Sequence, residues 1–184
     1  MLKNLWGSKT FSVAGIFFMF ISFIPSLTAQ VTKKNNMSEH VNNADSAKGI
    51  TIHQEIYFEV SPKALYEALL SSSEFSDCTK KSFDNFTAAS ATIDPKEGGI
   101  FSVFDEHIIG RILELVPNQR IVEAWRVVDW APGIYSIAKF EFKSQGVGTE
   151  LIFDHIGFPD GLKEHLSVGW QQHYWDALTK YFKR

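Results

Sequence analysis

The chain has 184 residues, of which 45% are hydrophobic and 14% aromatic, and its formal net charge is −3. This length and composition predict one globular domain with a substantial core, plus extensions. The basic residues are scattered, and the aromatic residues alternate with aliphatic ones, which excludes a nucleic-acid-binding protein. The single cysteine, Cys78, excludes an intramolecular disulfide and a cysteine-based metal cluster.

The first 29 residues predict a signal peptide. Lys3 and Lys9 give a positive start, and residues 11–24 form an uncharged apolar run. This run is shorter than the roughly 20 residues that a membrane-spanning helix needs, so we expect cleavage near residue 29 rather than anchoring. The expected location is therefore periplasmic or secreted, and this segment is the only expected contact with a membrane. If Met37 is the true start, the domain is instead cytoplasmic.

The linker and the first elements of the domain follow. Residues 30–49 are polar and lack periodicity, which predicts a disordered linker before a domain at 50–184. Residues 51–60 alternate as a strand. Ser61 and Pro62 then open a helix, with Ser61 as N-cap and Pro62 at the first helical position, where a missing N–H costs nothing. Three serines end this helix, and residues 74–78 predict one more helical turn.

From residue 83 onward the hydrophobic period changes to two. Six further strands are predicted, at 86–93, 99–104, 107–116, 121–128, 134–142 and 149–156. Their short connections require consecutive strands to be antiparallel neighbours. A sheet with this many strands is strongly twisted, and it curls to form a concave side.

The last stretch, residues 160–184, predicts one long amphipathic helix with Asp160 as N-cap. Leu166, Trp170 and Tyr174 recur at a spacing of four, so their stripe must be buried. Trp175 lies off this stripe and is predicted to be partly exposed. The predicted fold class is α+β: a curved antiparallel sheet of about seven strands wraps around a long C-terminal helix, and two short helices follow the first strand.

Several segments together resemble one protein family. They are residues 61–66 (SPKALY), 98–101 (GGIF), 110–126 (GRILELVPNQRIVEAWR), 148–151 (GTEL), 157–159 (GFP) and 169–175 (GWQQHYW). In this combination the chain resembles the C-terminal domain of the activator of heat-shock-protein-90 ATPase and its single-domain bacterial relatives. The resemblance implies the helix-grip fold of the START-like (SRPBCC) superfamily and a stress-response role. Where relatives often carry a glycine after a Phe-Asp pair, this chain has Glu106.

Strand alternation and the helical stripe predict which side chains line the concave side of the sheet. They form an aromatic box with three polar members: Phe101, Val103, Glu123, Trp125, Phe140, Phe153, His155, Trp170, His173 and Tyr174. Apolar walls with a few polar groups suit a small, mostly hydrophobic ligand. We therefore predict a non-enzymatic domain that binds such a ligand and needs no cofactor. The alternative is that these rings simply fill the core.

Glu123 is the sharpest single indication of a site, because a carboxylate on an apolar strand face is costly unless it is paired or hydrated. Its partner could be His155, His173 or Arg126, and the sequence leaves the choice open. Two other functions also stay open. The resemblance implies a chaperone-assisting or protein-interaction module, and Glu123 with a histidine would suit an enzyme of the polyketide cyclase/hydrolase type. The sequence holds neither a Gly-x-Ser-x-Gly nor a His-Glu-x-x-His motif, so we predict no catalytic or metal-binding residues.

Overall fold

The computed structural model describes residues 51–80 and 90–183. The predicted signal peptide (1–29), the predicted linker (30–49) and the first part of the strand predicted at 86–93 lie outside the described residues. In the described part of the chain, no helix is both long enough and apolar enough to cross a membrane.

The described domain begins with one strand and two helices. They are β1 (Thr51–Phe58), α1 (Pro62–Leu70) and α2 (Ser72–Lys80). The predicted cap of α1 is confirmed, since the Ser61 side chain accepts a hydrogen bond from the backbone N of Ala64 at 3.2 Å. The second helix is longer than the single turn predicted. The Ser71 hydroxyl accepts a bond from the backbone N of Glu74, which caps α2 at its start.

Seven antiparallel strands form one sheet in the order β1-β7-β6-β5-β4-β3-β2. The remaining strands are β2 (Thr92–Ile93), β3 (Ile100–Val103), β4 (Ile108–Val116), β5 (Arg120–Val127), β6 (Ser136–Gln145) and β7 (Gly148–Ile156). Strands β2 to β7 form a meander, whereas β1 pairs with β7, from Thr51 opposite Ile156 to Phe58 opposite Thr149. The α+β class and the seven-stranded antiparallel sheet are confirmed.

The C-terminal helix differs from the prediction at its start. It consists of α3 (Lys163–Trp170), a π-helical turn (Gln171–Trp175) and α4 (Asp176–Phe182). Asp160 is not the N-cap, because Gly161 turns the chain with a φ of +79° after it. Leu162 holds the capping position instead, without a side-chain hydrogen bond.

The π-helical turn decides which aromatic residues face the sheet. The backbone N–H of Asp176 bonds the carbonyl of Gln171, five residues earlier. Such a turn brings residue i+5 close to alignment with residue i, whereas an α-helix turns it away. Trp175 is consequently stacked on Trp170, with ring centroids 5.7 Å apart and planes at 18°. Trp175 is fully buried, so its predicted partial exposure is wrong.

Candidate functional site

All ten predicted site residues lie on the inner face of the sheet or on the helix that packs against it. Trp170 is the centre of this group and is only 1% exposed. The centroid of its ring lies 4.3 Å from that of Phe153, 4.2 Å from that of Tyr174 and 5.4 Å from that of Trp125. These distances are those of rings in direct contact. In the described part of the domain, the aromatic side chains therefore fill most of the space between sheet and helix.

A small void lies in the interior that the described residues form. Its volume is about 20 Å³, and it is lined by Leu69, Phe75, Ile93, Phe101, Val103, Ile121, Glu123, Phe140 and Tyr174. A single water molecule needs a cavity of roughly 10–15 Å³ measured in this way. Among the described residues, the void thus has room for about one water molecule and is too small for the predicted hydrophobic ligand.

Glu123 lines this void with an unusual carboxyl group. Burial raises the pKa of Glu123 to about 8, so the group is mostly protonated and neutral at pH 7. The residue keeps some accessible surface, which we attribute to the void that it lines. Its side chain makes no hydrogen bond to another described residue. None of the three predicted partners pairs with it.

Both ring nitrogens of His155 are hydrogen-bonded to residues other than Glu123. Trp170 Nε1 donates to His155 Nδ1 at 2.9 Å, so the proton of the neutral ring must lie on Nε2. His155 Nε2 then donates to Ser136 Oγ at 2.6 Å, and the Ser136 hydroxyl donates to the Trp125 carbonyl at 2.9 Å. Burial lowers the pKa of His155 to about 3, which keeps the ring neutral. This tautomer cannot take a proton from Ser136, so the two do not form a nucleophile and its base.

We call the hydrogen-bonded chain from Trp170 through His155 and Ser136 to the Trp125 carbonyl the buried relay. Ser136 was not predicted as a site residue from the sequence. It lies opposite Trp125 in the β5–β6 register and is 1% exposed. A serine at the start of a strand carries no local signal of burial. Its role depends on three strands and a helix that meet only in the fold.

His173 lies on the π-helical turn and does not pair with Glu123. Its ring centroid is 6.1 Å from that of Phe104. Burial lowers the pKa of His173 to about 4, and the nearby His107 and His165 act in the same direction. In the part of the chain that the structure describes, no group of three His, Cys, Asp or Glu residues could hold a metal ion.

The turn between β3 and β4 lies next to these rings and is strained. Phe104, Asp105 and Glu106 have φ values of +55°, +53° and +67°, which cost energy for residues with a side chain. Burial of the Phe104 ring against Phe75 and Tyr174 holds the turn in place. Asp105 Oδ1 also accepts bonds from the backbone N and the hydroxyl of Ser90, at 2.8 and 2.9 Å.

The opposite face of the sheet carries a larger feature, which we call the outer groove. Its volume is about 690 Å³, and it is lined by Thr92, Ile100, Phe101, Ser102, Glu106, Ile109, Gly110, Arg111, Ala124, Val128 and Tyr135. Ile100, Tyr135 and Val128 are 60%, 48% and 46% exposed, respectively. Sequence analysis did not predict the outer groove. The available signal was the pair of isoleucines, Ile100 and Ile109, at strand positions that alternate with the inner residues.

Arg126 lies beside the outer groove and not toward Glu123. It is 8% exposed, and its neighbour across β4 is Ile109, a residue of the groove. Its guanidinium donates from Nε to the Val127 carbonyl and from Nη2 to the carbonyls of Val128 and Trp130, at 3.3, 3.1 and 2.6 Å. The Tyr135 ring covers it, with its centroid 5.5 Å from Cζ.

Comparison with known proteins identifies one family. The family model described as Activator of Hsp90 ATPase homolog 1-like protein matches residues 59–183. The human protein named Activator of 90 kDa heat shock protein ATPase homolog 1 is 30% identical over 125 residues, which are 68% of this chain. The chain spans only 35% of the length of that relative.

Solved structures agree with this result. A structure described as an HSP90 activator from Plasmodium falciparum matches with a TM-score of 0.67 at 25% identity, covering 73% of this chain and 97% of that one. The Aha1 dimer from Colwellia psychrerythraea matches with a TM-score of 0.54 at 18% identity, covering 71% of this chain and 93% of that one. The second likeness bears on the fold alone.

Proposed function

The chain belongs to the family of Activator of Hsp90 ATPase homolog 1-like proteins, and from this membership we propose that it binds a partner protein of the Hsp90 class. The human and Plasmodium relatives are named as activators of such a chaperone. Because the chain covers about a third of the human protein, the activity of that whole protein is part of the proposal.

The observation that carries the proposal is the contrast between the two faces of the sheet. The described interior leaves a void of about 20 Å³, whereas the outer groove has a volume of about 690 Å³ and exposes apolar side chains. Contiguous exposed apolar surface on a soluble domain is typical of an interaction site. The outer groove is therefore the part of the described domain that supports a binding role best.

The proposal is tested by measuring the ATPase rate of the Hsp90-type chaperone from the same organism, with and without residues 50–184. We expect this domain to bind the chaperone and to raise its ATPase rate. Ile100→Asp should abolish the effect, because it puts a charge on an exposed apolar residue that lines the outer groove. Val147→Asp is the matched control, since Val147 is also an exposed aliphatic residue but lies in the β6–β7 turn. Absence of both binding and stimulation would rule the proposal out.

A second candidate function is the predicted binding of a small hydrophobic ligand between sheet and helix. Glu123 and Tyr174 both line the void, and the protonated carboxyl of the one and the phenol of the other can each donate a hydrogen bond to a ligand acceptor. Binding would require the aromatic side chains to move apart. Protein purified from its host would then carry a small molecule visible by native mass spectrometry, and Trp170 emission would change on its removal. Protein free of any such molecule, with emission unchanged by a panel of lipids, aromatics and isoprenoids, would count against this function.

The third function that the sequence leaves open, an enzyme of the cyclase/hydrolase type, has less support. It requires Glu123 to act with a histidine. His155 instead uses both ring nitrogens for Trp170 and Ser136.

The cellular location is also a proposal. Export through residues 1–29 would bring the domain to a partner outside the cytosol, whereas a start at Met37 would leave it in the cytosol. Sequencing the N-terminus of the natural protein decides between them: we expect the first residue at about position 30, and a first residue at Met37 or Ser38 would contradict export.

A further inference from the structure

The floor of the outer groove combines apolar residues with arginine. Ile100, Arg111 and Ala124 are cross-strand neighbours on β3, β4 and β5. The next row along these strands contains Ile109 and Arg126. Each row thus places an aliphatic side chain beside a guanidinium, and arginine is enriched among the residues that contribute most to protein–protein binding.

The charge of the groove is unbalanced. Arg111 is exposed, and its Nη1 donates to the Gly98 carbonyl, which fixes its direction. Arg126 is almost buried, yet no carboxylate of the described residues lies within ion-pair distance of it. Glu106 is the one acidic side chain among the described residues that line the groove. Arg111 therefore lines the groove and the almost buried Arg126 lies beside it, whereas the described lining contains a single carboxylate.

Arg126 also keeps unused hydrogen-bonding capacity. A guanidinium has five N–H groups, and three of those of Arg126 donate to backbone carbonyls. The two on Nη1 have no acceptor among the described residues. A cation that is nine-tenths buried without an opposite charge is costly, and an incoming carboxylate would remove that cost. Tyr135 covers this arginine and forms a wall of the outer groove, so a group bound in the groove would lie next to it.

From these contacts we propose that the outer groove binds an acidic, apolar segment of the partner protein. Aliphatic side chains of the segment cover Ile100, Ile109 and Val128, and its carboxylates pair with Arg111 and Arg126. This inference rests on the proposed function, and it names the chemistry by which the chaperone is recognised at that surface.

Calorimetric titration of the Hsp90-type chaperone of the same organism with domain variants tests the inference. Arg111→Glu reverses a charge in the groove, and Lys143→Glu makes the same change on an exposed residue of β6 that lies outside it. Tyr135→Ser removes a ring from the groove wall, and Tyr57→Ser removes an equally exposed ring from β1. We expect the two groove variants to weaken binding by about tenfold or more, and both controls to stay within about twofold of the wild type. Added salt should weaken wild-type binding more than that of Arg111→Glu.

The possible failures are distinguishable. If the wild type binds and all four variants bind equally well, the groove is not the site and the inference is wrong, while the proposed function stands. If the groove variants weaken binding but salt has no effect on the wild type, the acidic character of the segment is wrong. If the wild type does not bind the chaperone, the proposed function fails and the inference fails with it. Circular dichroism of each variant separates lost binding from lost folding.

Discussion

At the scale of single residues, Glu123 is the most unusual side chain of the domain. The Glu123 carboxyl keeps its proton at neutral pH, because burial among apolar side chains disfavours the charged form. Its protonation couples the stability of the fold to pH. The folded protein holds this proton up to a pKa of about 8, whereas an unfolded glutamate releases it near 4.5.

Replacing Glu123 by glutamine should change the pH dependence of stability. Because the folded pKa is raised, the folded state binds more protons between pH 4.5 and 8, and the free energy of unfolding falls as pH rises through this range. We expect the wild type to lose about 2–4 kcal/mol between pH 5 and pH 8.5 from this group. Glu123→Gln should lack this loss. Urea unfolding of both proteins at the two pH values is the measurement.

The control for this prediction is Glu164→Gln, which changes an exposed glutamate at the start of α3 and should follow the wild type. If Glu123→Gln and the wild type lose stability in parallel, Glu123 is already ionised in the folded protein at pH 7.

Ser136 tests the buried relay. Ser136→Ala removes the acceptor of the His155 Nε2–H, so a buried donor loses its partner. We expect the free energy of unfolding to fall by about 1–3 kcal/mol. Ser144→Ala, on an exposed part of the same strand, should change it by less than about 0.5 kcal/mol. Equal effects in chemical denaturation would mean that the relay adds nothing to stability.

The sequence predicts which residues face this interior, but not whether their side chains leave a pocket between them. Alternation assigns residues such as Phe140, Phe153 and Trp125 to the inner face, and all three are buried. Whether such rings leave a pocket depends on their rotamers and on the distance between sheet and helix, which no local pattern encodes. The sequence also does not determine which way the Arg126 side chain points, because a long side chain can fold toward several neighbours.

At the scale of elements, the β3–β4 turn stores strain. Three consecutive residues with positive φ are unfavourable, and the turn persists because Phe104 is buried and Asp105 is bonded to Ser90. Glu106 ends this turn with a positive φ that glycine would adopt at a lower energetic cost.

Glu106→Gly should therefore stabilise the domain. Glycine adopts a φ of +67° without steric cost, and this gain exceeds the added freedom of the unfolded chain. We expect the free energy of unfolding to rise by about 0.5–1 kcal/mol in thermal or urea unfolding. Gln119→Gly, in the β4–β5 turn at a residue without a positive φ, should lower it instead. A loss of stability in both variants would show that Glu106 has contacts that outweigh the strain.

Elements with a regular period were predictable, and those that break it were not. The strands and α1 follow from alternation and from the cap at Ser61. The π-helical turn does not, because a single wide turn leaves Trp170 and Tyr174 at an ordinary spacing of four. The sequence signal for this turn is Trp175, a large ring that a regular α-helix would expose at this position and that is buried in the structure.

At the scale of the whole domain, the two faces of the sheet differ in how they are packed and exposed. The inner face and the C-terminal helix bury the aromatic core, and the void beside Glu123 is the size of one water molecule. The outer face combines exposed isoleucine, valine and tyrosine with the exposed Arg111, and the almost buried Arg126 lies beside them. We propose that the domain binds its partner through this outer face.

Methyl-detected NMR of the domain, titrated with the Hsp90-type chaperone, tests this claim most directly. Ile100, Ile109 and Val128 report on the outer groove, Ile121 on the interior void, and Val147 on an unrelated exposed turn. We predict that the three groove methyl groups shift or broaden first, while those of Ile121 and Val147 keep their positions. Perturbation of Ile121 with an unchanged groove would contradict the claim and would make the interior the working part of the molecule.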